Sequence, residues 1–225
     1  MEENFELYNF FKTPKELKQQ AKEGLKYNRG KSMFINLMFW FSKLCFFGFL
    51  TLLLVALFNL NNPLFNLSLF IILAIILMLI SALTYGPLKI SQCKHSINMV
   101  ENTHPQASDI AYGFKKKYFR NVFYGISLVF LYLFNLIMLI FPFVSKYIHY
   151  QISGYILAEN ENFTVGEAFR ESTKLSKGFN KKYLKVLLSF AGKFALCIIS
   201  VYVFSLWIRP YFNATIYCYY KDIKK

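Results

Sequence analysis

Residues Asn162–Lys193 read NFTVGEAFRESTKLSKGFNKKYLKVLLSFAGK. Thr164 and Glu167 have the spacing of a capping box, in which a hydroxyl and a carboxylate each satisfy a backbone N–H at a helix start. Behind them Val165, Ala168, Phe169, Leu175 and Phe179 line one side of a helix, flanked by Arg170, Lys174 and Lys177. Gly178 is placed to end that helix in the left-handed conformation. A lysine-rich turn follows, and Tyr183 to Trp207 is apolar enough to be read as one outward membrane crossing. The unit is an amphipathic surface helix, a basic turn and a membrane-length stretch.

Weaker versions of the unit lie upstream. Tyr112–Arg120 (YGFKKKYFR) matches Lys177–Lys185 (KGFNKKYLK) at the glycine, the phenylalanine, two lysines and the tyrosine. At an offset of about 150 residues, Lys31 falls on Lys181 and Lys43 on Lys193. Iteration of this kind signals repeated structural units. The chain reads as a single integral membrane domain, 1–225, in units of approximately 12–100, 103–160 and 163–225.

The apolar runs carry the membrane reading. Met33–Leu60 holds one charge, Lys43, and Leu64–Leu83 holds none, while a helix needs about 20 apolar residues to cross a hydrocarbon core roughly 30 Å thick. A net charge of +14 first suggests nucleic acid. Lys and Arg gather, however, in blocks that flank the apolar runs: Lys12–Lys31, Lys89–Arg120, Arg170–Lys185 and Lys221–Lys225. That is the positive-inside pattern of cytoplasmic loops, and no nucleic-acid recognition motif accompanies it. The expected partner is a bilayer with anionic headgroups, attracted at about 1 kcal/mol per basic residue. Lys174, Lys177, Lys181 and Lys182, with Lys115, Lys116 and Lys117, are the expected headgroup contacts.

Taken in order, Thr13, Pro14 and Glu16 start a helix whose Leu17, Ala21 and Leu25 form a narrow apolar face. It lies on the membrane surface or packs on the protein. Met33–Leu60 crosses, Asn59–Asn66 turns outside without a basic residue, and Leu67–Leu83 returns until Gly86 and Pro87 interrupt it. Thr103–Gln106 offers a second capping box. Phe119–Phe141 crosses and stops at Pro142. Phe143–Leu157 is short and carries Lys146, His149 and Gln151, but it must also cross if Arg170–Lys185 is to stay inside. Arg209 and Pro210 form the last outer turn, and Tyr211–Tyr220 a short final helix against the bundle. The expected fold is all-α: a multi-pass helical protein of the cell membrane with about six membrane-embedded helices in three hairpins, each preceded by a cytoplasmic amphipathic helix, and with both termini cytoplasmic.

Chemistry is sparse. Gly30, Lys31 and Ser32 resemble the end of a phosphate loop, but Leu25 occupies the position of its first glycine and no strand precedes it. His95 and His104 lack a ligand at a usual helical spacing. Cys45, Cys93, Cys197 and Cys218 are scattered. Glu159 and Glu161 read as solvated charges at a helix end, and Lys43 as a side chain that snorkels to the headgroups or else faces a polar interior. No catalytic, cofactor-binding or metal residue is assigned. The expectation is a non-enzymatic protein that binds lipid, a membrane-protein partner or a second copy of itself. The alternative is a small-solute or peptide transporter, for which His149, Lys43, Lys193 and the Gly86–Pro87 break are the support.

Ile156–Asn160 (ILAEN), Glu167 with Ala168, Ser172–Gly178 (STKLSKG), Leu187–Gly192 (LLSFAG), and Pro210 and Tyr211 with Thr215 and the closing tyrosines together resemble domain-of-unknown-function family 975, a family of bacterial integral membrane proteins. Tyr112–Phe114 resembles its upstream part, and Lys193 stands where the family often has tryptophan. The resemblance implies a bacterial multi-pass membrane protein and carries no activity with it.

Overall fold

Capping and apolar periodicity set the helix starts as expected. In the computed structural model, which describes residues 12–26, 28–58, 67–101, 106–137, 140–199 and 204–224, helix α1 (Pro14–Lys26) opens on the Thr13 box. There the Thr13 N–H donates to Glu16 Oε2 at 2.7 Å and the Glu16 N–H to Thr13 Oγ1 at 3.4 Å. A cap of this kind contributes about 1 kcal/mol. Leu17, Ala21 and Leu25 are buried against the protein, so α1 is a packed helix and not one lying on lipid.

Helices α2 (Arg29–Phe58) and α3 (Leu67–Val100) form a long antiparallel pair. With 30 and 34 residues they run about 45 and 50 Å. Both are long and apolar enough to cross a membrane. Their connection, with the expected Asn59–Asn66 turn, lies outside the described residues, as do His104 and most of the Thr103–Gln106 box. The Gln106 N–H donates to Asp109 Oδ2 at 3.2 Å and starts a 3-10 turn, Ala107–Ala111.

The expected interruption at Gly86 and Pro87 does not occur: α3 runs through both. The reason is tertiary. Helix α5 (Tyr118–Ile137) crosses α3 so closely that a β-carbon on Gly86 would overlap the Asn121 carbonyl, and one on Gly125 would stand 2.6 Å from Gly86 Cα. Gly86 is thus a packing contact of the small-residue kind that joins membrane helices. A one-turn helix, α4 (Tyr112–Lys115), lies between the 3-10 turn and α5, and its Gly113 rests on the Pro87 carbonyl.

Helix α6 (Ile140–Glu159) includes Pro142 in its first turn, so the expected Phe143–Leu157 segment belongs to a helix of 20 residues. The side chains of Lys146 and His149 lie outside the described residues. Helix α7 (Val165–Ser176) starts on the predicted box, with the Thr164 N–H donating to Glu167 Oε2 at 2.8 Å, and Gly178 takes the predicted left-handed φ of 84°. These hydrogen bonds hold the Glu167 carboxyl below its usual pKa range. The apolar face of α7 packs on α6, with the Phe169 ring 5.7 Å from Tyr124 and 5.9 Å from Tyr150.

Two further expectations are corrected. Tyr183–Trp207 is not one crossing: α8 (Asn180–Leu188) and α9 (Ala191–Ile199) are separated by a turn at Ser189 and Phe190. Arg209 and Pro210 do not turn the chain, for both lie inside α10 (Ser205–Ile223). Helix α10 packs on α1, α2, α3 and α6. Its Tyr217, Tyr219 and Tyr220 are buried with Tyr124, Tyr155 and Tyr183, and burial of this much aromatic surface outweighs one ladder bond lost at Pro210. The four cysteines are buried free thiols.

Candidate functional site

The expected headgroup lysines separate into two groups. Lys174, Lys177 and Lys181 are exposed, as are Lys115, Lys116 and Lys117. Lys174 lies 3.4 Å from Glu171 and Lys116 3.4 Å from Glu161, both loose surface pairs. Lys182 is a correction. One residue further on α8 turns the side chain about 100° inward, where its Nζ meets Asp222 Oδ2 at 2.5 Å with both side chains almost wholly enclosed. The Lys12 N–H also donates to this carboxylate. Lys182 therefore fastens α10 to α8 and is withheld from any headgroup.

Glu159 is likewise not a solvated end charge. It accepts from the Tyr220 hydroxyl at 2.9 Å and from Lys224 at 2.6 Å, while the Tyr217 hydroxyl lies 2.7 Å from Glu101 and 3.3 Å from Glu159. Lys221 completes the group at 3.0 Å from Glu101. The ends of α3, α6 and α10 are tied by two carboxylates, two phenols and two ammonium groups. The Tyr217 hydrogen bond leads in holding the Glu101 carboxyl below its usual pKa, with burial opposing and Lys221 assisting. Arg120 adds a cap, donating to the carbonyls of Leu157, Asn160, Glu161 and Phe163 at the end of α6.

His95 has partners that no local spacing could reveal. Its Nδ1 lies 2.9 Å from Asp109 Oδ2 and its Nε2 2.9 Å from Ser32 Oγ. A carboxylate only accepts, so Nδ1–H donates to Asp109. The order of atoms is that of a nucleophile, base and orienting acid. Ser32 is 0% exposed, however, and its hydroxyl is also within reach of the Asn28 carbonyl and Met99 Sδ. No substrate atom can approach it in this conformation, so the trio acts as a clamp holding the 3-10 turn to α2 and α3. Deeper along the same helices, Gln92 donates to Asn36 at 3.0 Å and Lys89 to Gln151 at 2.9 Å. Lys43 is half-buried, 5.2 Å from the Phe39 ring centroid and on the side of Lys89 and Arg209, so it faces the interior instead of snorkelling.

A cavity of about 340 Å³ opens between α1, α2, α9 and α10. Lys22, Arg29 and Lys193 line it from three different helices, with Met33, Trp207 and Tyr211 forming its apolar and aromatic wall, and no carboxylate is among its described lining residues. Lys193 Nζ sits 4.2 Å from the Tyr211 ring centroid. One turn before Lys22, Lys18 donates to the Ser189 carbonyl at 2.6 Å, and burial followed by the Lys193 charge lowers its pKa. The reading of the sequence assigned none of these residues to a site. The signal available was Lys18 and Lys22, a helical turn apart on α1, together with a tryptophan beside the last apolar stretch.

No curated protein and no solved structure matches the chain. A family model described as "Protein of unknown function (DUF975)" matches residues 120–225, from the Arg120 cap through α10. That stretch contains the motifs whose partners have just been described, Glu159 with the closing tyrosines among them, and over it the chain matches this family.

Proposed function

We propose that this is a multi-pass protein of the cell membrane, without catalytic machinery, that binds anionic lipid at a basic cytoplasmic face. The observation that carries the reading is a contrast of surfaces. Phe41, Phe47, Leu54, Ile72, Ile75 and Leu79 stand exposed around the outer halves of α2 and α3. The exposed charges of Lys115, Lys116 and Lys117 follow at the level where the bare stretch of α3 ends, beside Leu83–Pro87, and Lys174, Lys177 and Lys181 are exposed around the α7–α8 turn. An uncovered apolar collar followed by a cationic base fits a bilayer with anionic headgroups.

On this reading α2 and α3 cross as one hairpin, and α5 and α6, each of 20 residues, cross as a second, since each spans about 30 Å. The third hairpin is re-entrant. Helix α9, with nine residues, reaches only about 14 Å, and Lys193 near its start shares a cavity with Trp207 and Tyr211 of α10. The chain thus dips partway into the bilayer and returns to the same side, leaving both termini cytoplasmic.

Cysteine labelling tests the topology. In a cysteine-free background, Lys115→Cys and Lys224→Cys should resist an impermeant maleimide in intact cells and react after permeabilisation. Reaction of either in intact cells overturns the orientation. Lipid binding is tested by mass spectrometry of the purified protein: Lys174→Gln, Lys177→Gln and Lys181→Gln together should lower co-purified anionic phospholipid. The buried Asn36–Gln92 and Lys89–Gln151 contacts favour a second reading, a solute path between α2, α3 and α6. An energy-dependent flux into vesicles would replace the lipid-binding reading with that one.

A further inference from the structure

We propose that the cavity between α1, α2, α9 and α10 is a specific site for the phosphate of a glycerophospholipid headgroup that carries more than one negative charge, a phosphomonoester in class. The inference rests on the membrane reading above and names the ligand of one site within it.

Charge comes first. Lys22, Arg29 and Lys193 converge from three helices with no acidic residue among the described lining residues, and Lys18 lies one turn below Lys22. A zwitterionic headgroup would leave all of this charge unbalanced, and a phosphodiester would balance one unit of it. A phosphomonoester supplies nearly two negative charges and three oxygens that accept from lysine and arginine. The backbone contributes as well. Lys193 is the third residue of α9, and the positive end of a helix favours an anion held near its first turn.

Shape then selects a lipid over a soluble phosphate. The wall opposite the cations is Met33, Trp207 and Tyr211, which a free phosphate would not use. Trp207 is 48% exposed, and Leu37, one turn beyond Met33, is 40% exposed. These side chains continue from the cavity to the apolar collar of α2, giving acyl chains a track, and tryptophan is a residue of the headgroup level. The volume of about 340 Å³ lies in the range of small-molecule sites and suits a phosphate and glycerol with the chains outside.

The protein has two tryptophans, so Trp40→Phe leaves Trp207 as a single reporter on the cavity wall. With this variant in phosphatidylcholine nanodiscs, brominated phosphatidic acid should half-quench Trp207 at a mole fraction about 5-fold lower than brominated phosphatidylglycerol, and phosphatidylglycerol lower than phosphatidylcholine. Lys22→Gln, Arg29→Gln and Lys193→Gln together should abolish the preference. Lys22→Gln with Arg29→Gln, both exposed side chains, should reduce it even where Lys193→Gln disturbs α9. The Lys174→Gln, Lys177→Gln, Lys181→Gln protein should keep it. Equal quenching by all three lipids overturns the site and leaves the membrane reading standing. No quenching by any of them overturns the membrane reading itself. Loss of the preference on adding millimolar glycerol phosphate assigns the site to a soluble phosphate and overturns the lipid.

Discussion

The two halves of α3 obey opposite rules. From Leu69 to Leu83 the helix is largely apolar and bare except where Ala74 and Ser81 are buried, with Ile72 and Leu79 each 55% exposed. From Leu88 to Met99 it carries Lys89, Ser91, Gln92, His95 and Ser96, and all five are buried. In water the apolar half would be the one inside. The difference shows what protein contact is used for in this chain. On the membrane reading an apolar side chain is satisfied by lipid alone, whereas a polar one away from water needs a partner, and here the partners are Gln151, Asn36, Asp109 and the Ile110 carbonyl.

The strongest test of this contrast is Gly86→Leu against Leu79→Ala. Gly86→Leu forces the α3–α5 backbones apart and should cost about 3 kcal/mol or more, seen as loss of monodisperse protein after extraction. Leu79→Ala, two turns away on the open half, should shift stability by less than about 0.5 kcal/mol. Similar losses for both would mean that the open half is covered by protein after all.

Next in size is the enclosed pair at the base. Lys182→Met alone leaves Asp222 buried without its ammonium partner and should cost about 3–5 kcal/mol, measured by denaturant titration in micelles. Adding Asp222→Leu should restore much of the loss, and Lys181→Met, one residue away and exposed, should change little.

Glu159→Gln comes third. It weakens two phenol hydrogen bonds and the Lys224 contact, for an expected loss of about 1.5–3 kcal/mol and faster hydrogen exchange at the end of α10. Glu161→Gln removes only a loose surface pair and should cost well under about 1 kcal/mol.

The smallest effect is on pH dependence. Glu101 and Asp109 both sit below their usual pKa: the Tyr217 hydrogen bond leads for Glu101, while at Asp109 burial opposes and the His95, Gln106 and Asn98 contacts prevail. A depressed carboxyl adds stability that is fully present above its unfolded pKa, about 4.3 for Glu and 3.9 for Asp, and is lost as pH falls through the folded value. The melting temperature should therefore be level from about pH 7 to 5 and fall below about pH 4. Glu101→Gln should make that fall shallower.

What could be read from residues alone was what neighbouring residues settle. The Thr13 and Thr164 boxes, the left-handed Gly178 and the apolar lengths of α2 and α3 depend on positions a few residues apart. The errors arose where a distant partner decides. Gly86 and Pro87 carry the local marks of a break, and α5 packing holds them helical. Lys181 and Lys182 are indistinguishable by composition, and only Asp222, 40 residues on, draws one of them inside. His95 has no ligand at a helical spacing because its partners lie 63 residues before and 14 after. The cavity needed four helices placed at once. Lys22 was visible only as a member of a basic block, and Lys193 only as a charge inside an apolar stretch.

Pro87 gives α3 a mechanical character. Having no N–H, it leaves the Leu83 carbonyl without its ladder partner, and the Tyr118 hydroxyl covers that oxygen only over 3.4 Å. The weakest rung of the helix therefore lies at the level where the open half meets the packed half, and a helix bends most readily at such a rung. On the membrane reading proposed above, a change in bilayer thickness, worth fractions of a kcal/mol per Å, is taken up by leaning of the outer hairpin about this pivot. The base, with its tyrosines and lysines, keeps its register whichever membrane surrounds it.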